Sequence, residues 1–136
     1  MRTRGFTLIE LLVVIGIIAI LASVILASLS GSETKARDAK RMEEISSIQK
    51  AIALYLVSHG SYPIVTSTTT LTGSDPLLSA LIAEGDIPSA PIDPSSPVYN
   101  YTYVSNALGN NYWLGFCLET NKIPNYAQGC GNTVSP

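Results

Sequence analysis

Four kinds of residue in this sequence have the types and settings for chemistry. They are Glu10 inside an apolar run, the single histidine His59, the acids Asp86 and Asp93, and the two cysteines Cys117 and Cys130. None makes a catalytic set. His59 closes a helical stripe, where the macrodipole favours a basic side chain, and it lacks the partners of a general base. The serines and threonines sit in no recognisable nucleophile motif. Asp86 and Asp93 could gather backbone carbonyls around a cation, yet no 12-residue calcium loop accompanies them. The inventory points away from an enzyme and implies no cofactor and no metal. Glu10 stands apart, because a carboxylate among lipid-facing residues is costly and is by default a functional hypothesis.

The elements that hold these residues follow from composition. The chain has 136 residues, 46% hydrophobic and 13% charged, with a net charge of −2. This excludes a large multi-domain enzyme and a disordered chain. An acidic balance argues against nucleic acid as a partner, since phosphate neutralisation needs a basic surface. The apolar excess is concentrated: Phe6 to Leu29 carries one charge in 24 positions, and sixteen of those residues are Leu, Ile, Val or Phe. As a helix the run reaches roughly 36 Å, against a hydrocarbon core of about 30 Å. Summed insertion preferences outweigh the one carboxylate. A secretory signal peptide would have a shorter apolar region and a small-residue cleavage site, and a plain signal anchor has no use for Glu10.

Arg2 and Arg4 precede the run, which keeps residues 1–5 in the cytoplasm and delivers everything after Leu29 to the far side of the inner membrane. The cluster Lys35, Arg37, Lys40 and Arg41 opposes this orientation. It weighs less because Glu33, Asp38, Glu43 and Glu44 are interleaved with it. Within residues 6–29 no Lys, Arg or His is available to Glu10, and Ser23 and Ser28 lie more than three turns away. Arg4 reaching back is the alternative partner in an uncut chain.

Arg4-Gly5-Phe6-Thr7-Leu8-Ile9-Glu10, followed by an apolar helix, resembles the N-terminal signature of type IV pilins and type II secretion pseudopilins. The resemblance implies that a prepilin peptidase cuts between Gly5 and Phe6 and that Phe6 is N-methylated. It also implies partners: membrane lipid, an inner-membrane assembly platform, and identical or related pilin subunits in a filament. Cleavage gives Glu10 a partner, because a new α-amino group appears four residues away and on each neighbouring subunit. An ammonium meeting the buried carboxylate makes it tolerable and fixes the offset of otherwise slippery apolar helices. One departure is Ala27, which stands where many family members break the helix with proline.

Beyond the membrane run, Ser30-Gly31-Ser32-Glu33 reads as a capping box or as helix that tolerates Gly31, and continuity is favoured. Met42, Ile45, Ile48, Ile52, Tyr55, Leu56 and His59 recur at three- and four-residue steps as an apolar stripe, closed by Gly60 and Pro63. Residues 66–74 read as a Ser/Thr-rich loop. A short helix is expected over Pro76–Glu84, capped by Ser74 or Asp75, buried through Leu77, Leu78, Leu81 and Ile82, and ended by Gly85. Ile87–Pro97 reads as a turn-rich linker. Tyr99–Val104 and Asn111–Leu118 read as strands, and Thr120–Pro136 as mostly loop. Two further stretches resemble secretion pseudopilins: the helix exit Leu54-Tyr55 to Gly60-Ser61-Tyr62-Pro63, and the Asp93-Pro94 turn before Tyr99 and Tyr101. After that turn, Ser95 and Ser96 replace the tryptophan and glycine of the family.

Cys117 and Cys130 lie in the exported part, where an even count reads as a disulfide worth about 3 kcal/mol. Two buried thiols or a pair of metal ligands are the alternatives, the latter without a third ligand nearby. The pair resembles the C-terminal disulfide loop of many type IV pilins rather than the calcium-binding loop of major pseudopilins.

The sequence thus describes an α+β chain: a leader at 1–5, a membrane and assembly helix at 6–29, its amphipathic continuation at 30–59, and a head at 60–136 with a small antiparallel sheet. Such a chain is expected to be a structural subunit of a pilus or pseudopilus, anchored in the inner membrane and then polymerised. A minor tip subunit with a binding head and an anchored domain that never polymerises are the rival readings.

Overall fold

The structure, a computed structural model, describes residues 5–136, apart from the side chains of residues 27–30. Arg2 and Arg4 lie outside the described residues. The chain divides into two compact units, Met1–Thr34 and Lys35–Pro136.

A single helix, α1, runs from Leu8 to His59. It crosses Gly31 unbroken, so the second start at Ser30 is not used: strongly helical flanks absorb a glycine that costs only about 1 kcal/mol. In the first unit, every described side chain over residues 5–26 is exposed. The helix is long and apolar enough there to cross a membrane.

In the second unit, α1 turns one face to a sheet. Ile45, Ile48, Ala51 and Ile52 are buried, whereas Met42, Tyr55 and Leu56 are half-covered and His59 is exposed. The same face continues N-terminally as Asp38 and Arg41, both fully buried. The helix ends where Gly60 adopts φ 73° and its N–H meets the Leu56 carbonyl at 2.8 Å. Such a left-handed exit is cheap only for glycine.

Four antiparallel strands follow in the spatial order of the chain: β1 (Thr69–Thr70), β2 (Thr102–Ser105), β3 (Tyr112–Leu118) and β4 (Gly129–Val134). A second helix, α2 (Pro76–Glu84), lies between β1 and β2 in sequence. Its bounds match expectation because the local signals are strong: the Asp75 side chain accepts from the Leu78 N–H, proline opens the first turn, and Gly85 closes it. Leu77, Leu78 and Leu81 are buried, but Ile82 is 39% exposed and lies off the buried face.

Two expectations fail. Residues 66–74 are not all loop, since Thr69 and Thr70 pair with Tyr103 and Thr102. Thr120–Pro136 likewise contains β4, which pairs with β3. Both strands are poor in the large apolar residues that mark a strand in sequence, and backbone pairing with an existing edge makes them. The β2–β3 connection is built by asparagine: Asn106 Oδ1 accepts from the Asn110 and Asn111 amides. Gly109 in this turn has φ 63°, and a Cβ there would stand 2.9 Å from Ser61 Cβ, so only glycine fits.

The core of this unit joins the isoleucines of α1 and the leucines of α2 to Tyr101, Tyr103, Tyr112, Leu114, Phe116 and Leu118. Buried tyrosine needs a partner for its hydroxyl. Tyr103 donates to the Pro63 carbonyl at 2.9 Å and Tyr101 to Glu44 at 2.5 Å. Burial drives the titration of both phenols upward, and the Glu44 contact adds to the effect at Tyr101.

Candidate functional site

The N-terminal site begins with a helix start. Gly5, Phe6 and Thr7 precede α1, and Thr7 is its N-cap. The Glu10 amide donates to Thr7 Oγ1 at 3.3 Å, while the Thr7 amide and hydroxyl each reach Glu10 Oε2 at 2.8 Å. This is a reciprocal capping box, Thr-x-x-Glu, and it corrects the reading that nothing in the span can hold Glu10. The carboxylate sits at N3, where the positive end of the macrodipole also favours it. The Thr7-x-x-Glu10 spacing carries this signal in the sequence itself. The Gly5–Phe6 bond lies outside the helix, in a segment where Phe6 is 77% exposed and, among the described residues, nothing beyond its chain neighbours approaches the Gly5 Cβ position within 4 Å. A protease needs accessible, non-helical backbone.

The head contains a second ionic site that sequence reasoning missed. Arg41 is fully buried, and its guanidinium serves three carboxylates. Nη1 meets Asp38 at 2.8 Å, Nε meets Asp93 at 2.8 Å, and Nη2 lies 2.7 Å from Glu119. Nη2 also reaches Asp93 at 3.0 Å and the Ser95 hydroxyl at 2.8 Å, and Tyr99 places its ring 5.3 Å from the guanidinium carbon. Each acid is also held by other donors. Asp38 accepts from the amides of Glu119 and Thr120 at 2.9 and 2.8 Å and from the Thr120 hydroxyl at 2.7 Å. Asp93 accepts from the Ser95 amide at 2.7 Å, and Glu119 is gripped at two points by Arg37.

Charge follows this geometry. The Arg37 contact, helped by Arg41 and Ser95, holds the Glu119 carboxyl down at about 2. Burial pushes Asp38 up, but the Glu119 amide, the Thr120 hydroxyl, Arg41 and the Thr120 amide together keep it below the usual range. Asp93 therefore serves a guanidinium rather than a metal ion. Asp86 is apart: its amide donates to the Leu81 carbonyl, and its buried Oδ2 has no hydrogen-bond partner among the described residues. No group of three or more His, Cys, Asp or Glu is arranged to hold a metal among the described residues.

The remaining candidates are placed plainly. Cys117 on β3 faces Cys130 on β4, and the two are bonded. His59 stacks on Tyr55 with ring centroids 3.9 Å apart and lies 3.6 Å from Glu84, so it is a helix-end residue with local partners.

An apolar helix opened by a capping box, in a chain that continues into a small antiparallel head, defines a pilin-like subunit. The comparisons agree. A model of the prokaryotic N-terminal methylation motif matches residues 1–26. The type II secretion system core protein G of Escherichia coli (strain K12) is 35% identical over 97 residues, covering 68% of this chain and 67% of that protein. Its counterpart in Dickeya chrysanthemi is 34% identical over 128 residues, covering 94% of this chain and 78% of that protein. The type IV wide pilus major component PilA4 of Thermus thermophilus is 41% identical over 61 residues, covering 45% of this chain and 47% of that protein. Across the curated relatives, the aligned stretch spans from 40% to 78% of the relative's length. No solved structure matches. The chain belongs to the family of type II secretion pseudopilins and type IV pilins.

Proposed function

We propose that this chain is the precursor of a structural filament subunit, cut by a prepilin peptidase between Gly5 and Phe6 and methylated on the Phe6 amine. The observation that carries the reading is the methylation motif over residues 1–26, with its Gly5–Phe6 bond in exposed, non-helical backbone just before the capped helix. The mature helix leaves lipid for a bundle of identical helices. Thr7 holds one oxygen of Glu10, and Oε1 takes no bond from the described residues. That oxygen is the natural receiver for the Phe6 ammonium of a neighbouring copy. Residues 1–5 serve as leader, 6–29 as membrane and assembly segment, 30–59 as its continuation, and 60–136 as a head outside the cytoplasm. An inner-membrane platform is the assembly partner.

Relatives named for type II secretion favour a pseudopilus. A pilus is the second reading, favoured by the Cys117–Cys130 bond and its resemblance to the pilin disulfide loop. Mass spectrometry of the membrane-extracted protein tests the processing: the expected mature chain begins at Phe6 and carries one added methyl group. A chain still beginning at Met1, in cells with an active peptidase, defeats the proposal. Assembly is tested by shearing filaments from cells producing Glu10→Ala. Losing an ion-pair partner in an apolar bundle costs about 3–5 kcal/mol, so a roughly hundredfold or greater loss of polymer is expected. Wild-type yield would remove Glu10 from assembly.

A further inference from the structure

The resemblance to pseudopilins brings with it the calcium-binding loop of the major members of that branch. The stretch between β3 and β4, residues 119–128, offers one carboxylate, Glu119. Calcium takes six to eight oxygens at about 2.3–2.6 Å. Here the oxygens that converge, from Asp38, Asp93 and Glu119, are met instead by N–H and O–H donors. Both Asp38 and Arg41 have no exposed side-chain surface, and Glu119 keeps only 14%. The residues present do not fit calcium.

We infer that the head folds independently of calcium, with the Arg41 guanidinium as the cation that gathers Asp38, Asp93 and Glu119. The geometry suits the task. One planar fork reaches three carboxylates that come from α1, from the Asp93–Ser95 turn and from the exit of β3. Arginine stays charged at any pH the protein meets and offers five directed donors, which a lysine cannot match. A cation on the chain itself cannot be stripped by a chelator or diluted away. Asp38 then passes the constraint on, because its oxygens bind the Glu119 and Thr120 amides and so fix where the chain leaves β3. The β3–β4 connection is fastened again by Cys117–Cys130. This inference stands on the head and does not depend on whether the chain polymerises.

The test uses full-length protein in detergent micelles, with thermal unfolding followed by circular dichroism in excess calcium chloride or in EGTA. Wild type is expected to unfold at the same midpoint in both. A calcium site filled at about a hundred times its Kd would raise that midpoint by on the order of 10 °C, and such a rise overturns the inference. Arg41→Ala supplies the second arm. Its midpoint in EGTA is expected to fall well below wild type and to recover in part with calcium, but not with sodium chloride of equal ionic strength. If the variant is unfolded in EGTA, a folded signal appearing on calcium addition counts as the same support. Arg41→Lys is expected to lie between the two, since it keeps the charge and loses the fork. No calcium recovery in Arg41→Ala would overturn the role of Arg41 as that cation and leave it an ordinary buried ion pair.

Discussion

Glu10 and Asp38 are both acids that accept bonds from backbone amides on or beside α1, and the chain treats them in opposite ways. Asp38 is sealed. Four donors from three residues surround it, one of them a guanidinium, and no solvent reaches its side chain. Glu10 is left half finished, exposed and held, among the described residues, by Thr7 alone. A network completed inside one molecule defines a unique fold, and breaking it strands a buried charge. An acid satisfied only in part, on a surface that must enter lipid or protein, keeps bonding capacity for a second molecule. The first arrangement serves stability, and the second is the one proposed above for assembly.

The sharpest way to break this contrast is a pair of substitutions. Asp38→Ala leaves Arg41 short of a partner and the Glu119 and Thr120 amides without an acceptor. It is expected to cost about 3–5 kcal/mol in urea unfolding of the head. Glu10→Ala is expected to leave that transition within about 0.5 kcal/mol of wild type while filaments disappear. A Glu10 variant that unfolds the head, or an Asp38 variant that does not, would erase the distinction.

Acid titration sharpens it next. The folded-state value of Glu119 is depressed, from an ordinary 4.5 to about 2. Its stabilisation is therefore complete above pH 4.5 and is lost as pH falls toward 2. About 3 kcal/mol should vanish across that window, with Asp38 adding in the same direction. Unfolding free energies measured at stepped pH check this, and a flat profile would contradict the geometry. Reduction of Cys117–Cys130 follows, at about 3 kcal/mol in the chain-entropy model, read as a lower urea midpoint in dithiothreitol. The smallest effect belongs to Thr7→Val, which keeps the backbone donor and loses the hydroxyl. A cost of about 1 kcal/mol should speed amide exchange at Glu10 roughly fivefold without moving the head.

What the sequence disclosed tracks the range of the forces involved. The α2 helix was legible to the residue because Asp75, Pro76 and Gly85 act within one turn of the positions they define. The apolar run, the methylation signature and the α1 stripe were equally plain, being periodic or contiguous. Asp38 and Arg41 were not. Read locally they are an ordinary i, i+3 pair on a solvated helix face, and only partners 52 and 81 residues away make them core. Strand β4 was hidden for a related reason: Gly129-Cys-Gly-Asn-Thr-Val134 has little to mark a strand until β3 offers an edge. Asp93 shows the cost of reading one residue at a time. A metal was weighed for this acid and set aside for want of a calcium loop, and its partner is a guanidinium from α1.

The fastening of residues 119–128 at both ends has a practical use. Asp38 grips the start at Glu119 and Thr120, while Asn132 clasps Ala127 near the finish. Between them, Asn121 and Lys122 point into solvent. A guest peptide spliced between those two residues would be presented on a stiff frame rather than a floppy tail. If the subunits polymerise, one epitope would be repeated at every step along the fibre.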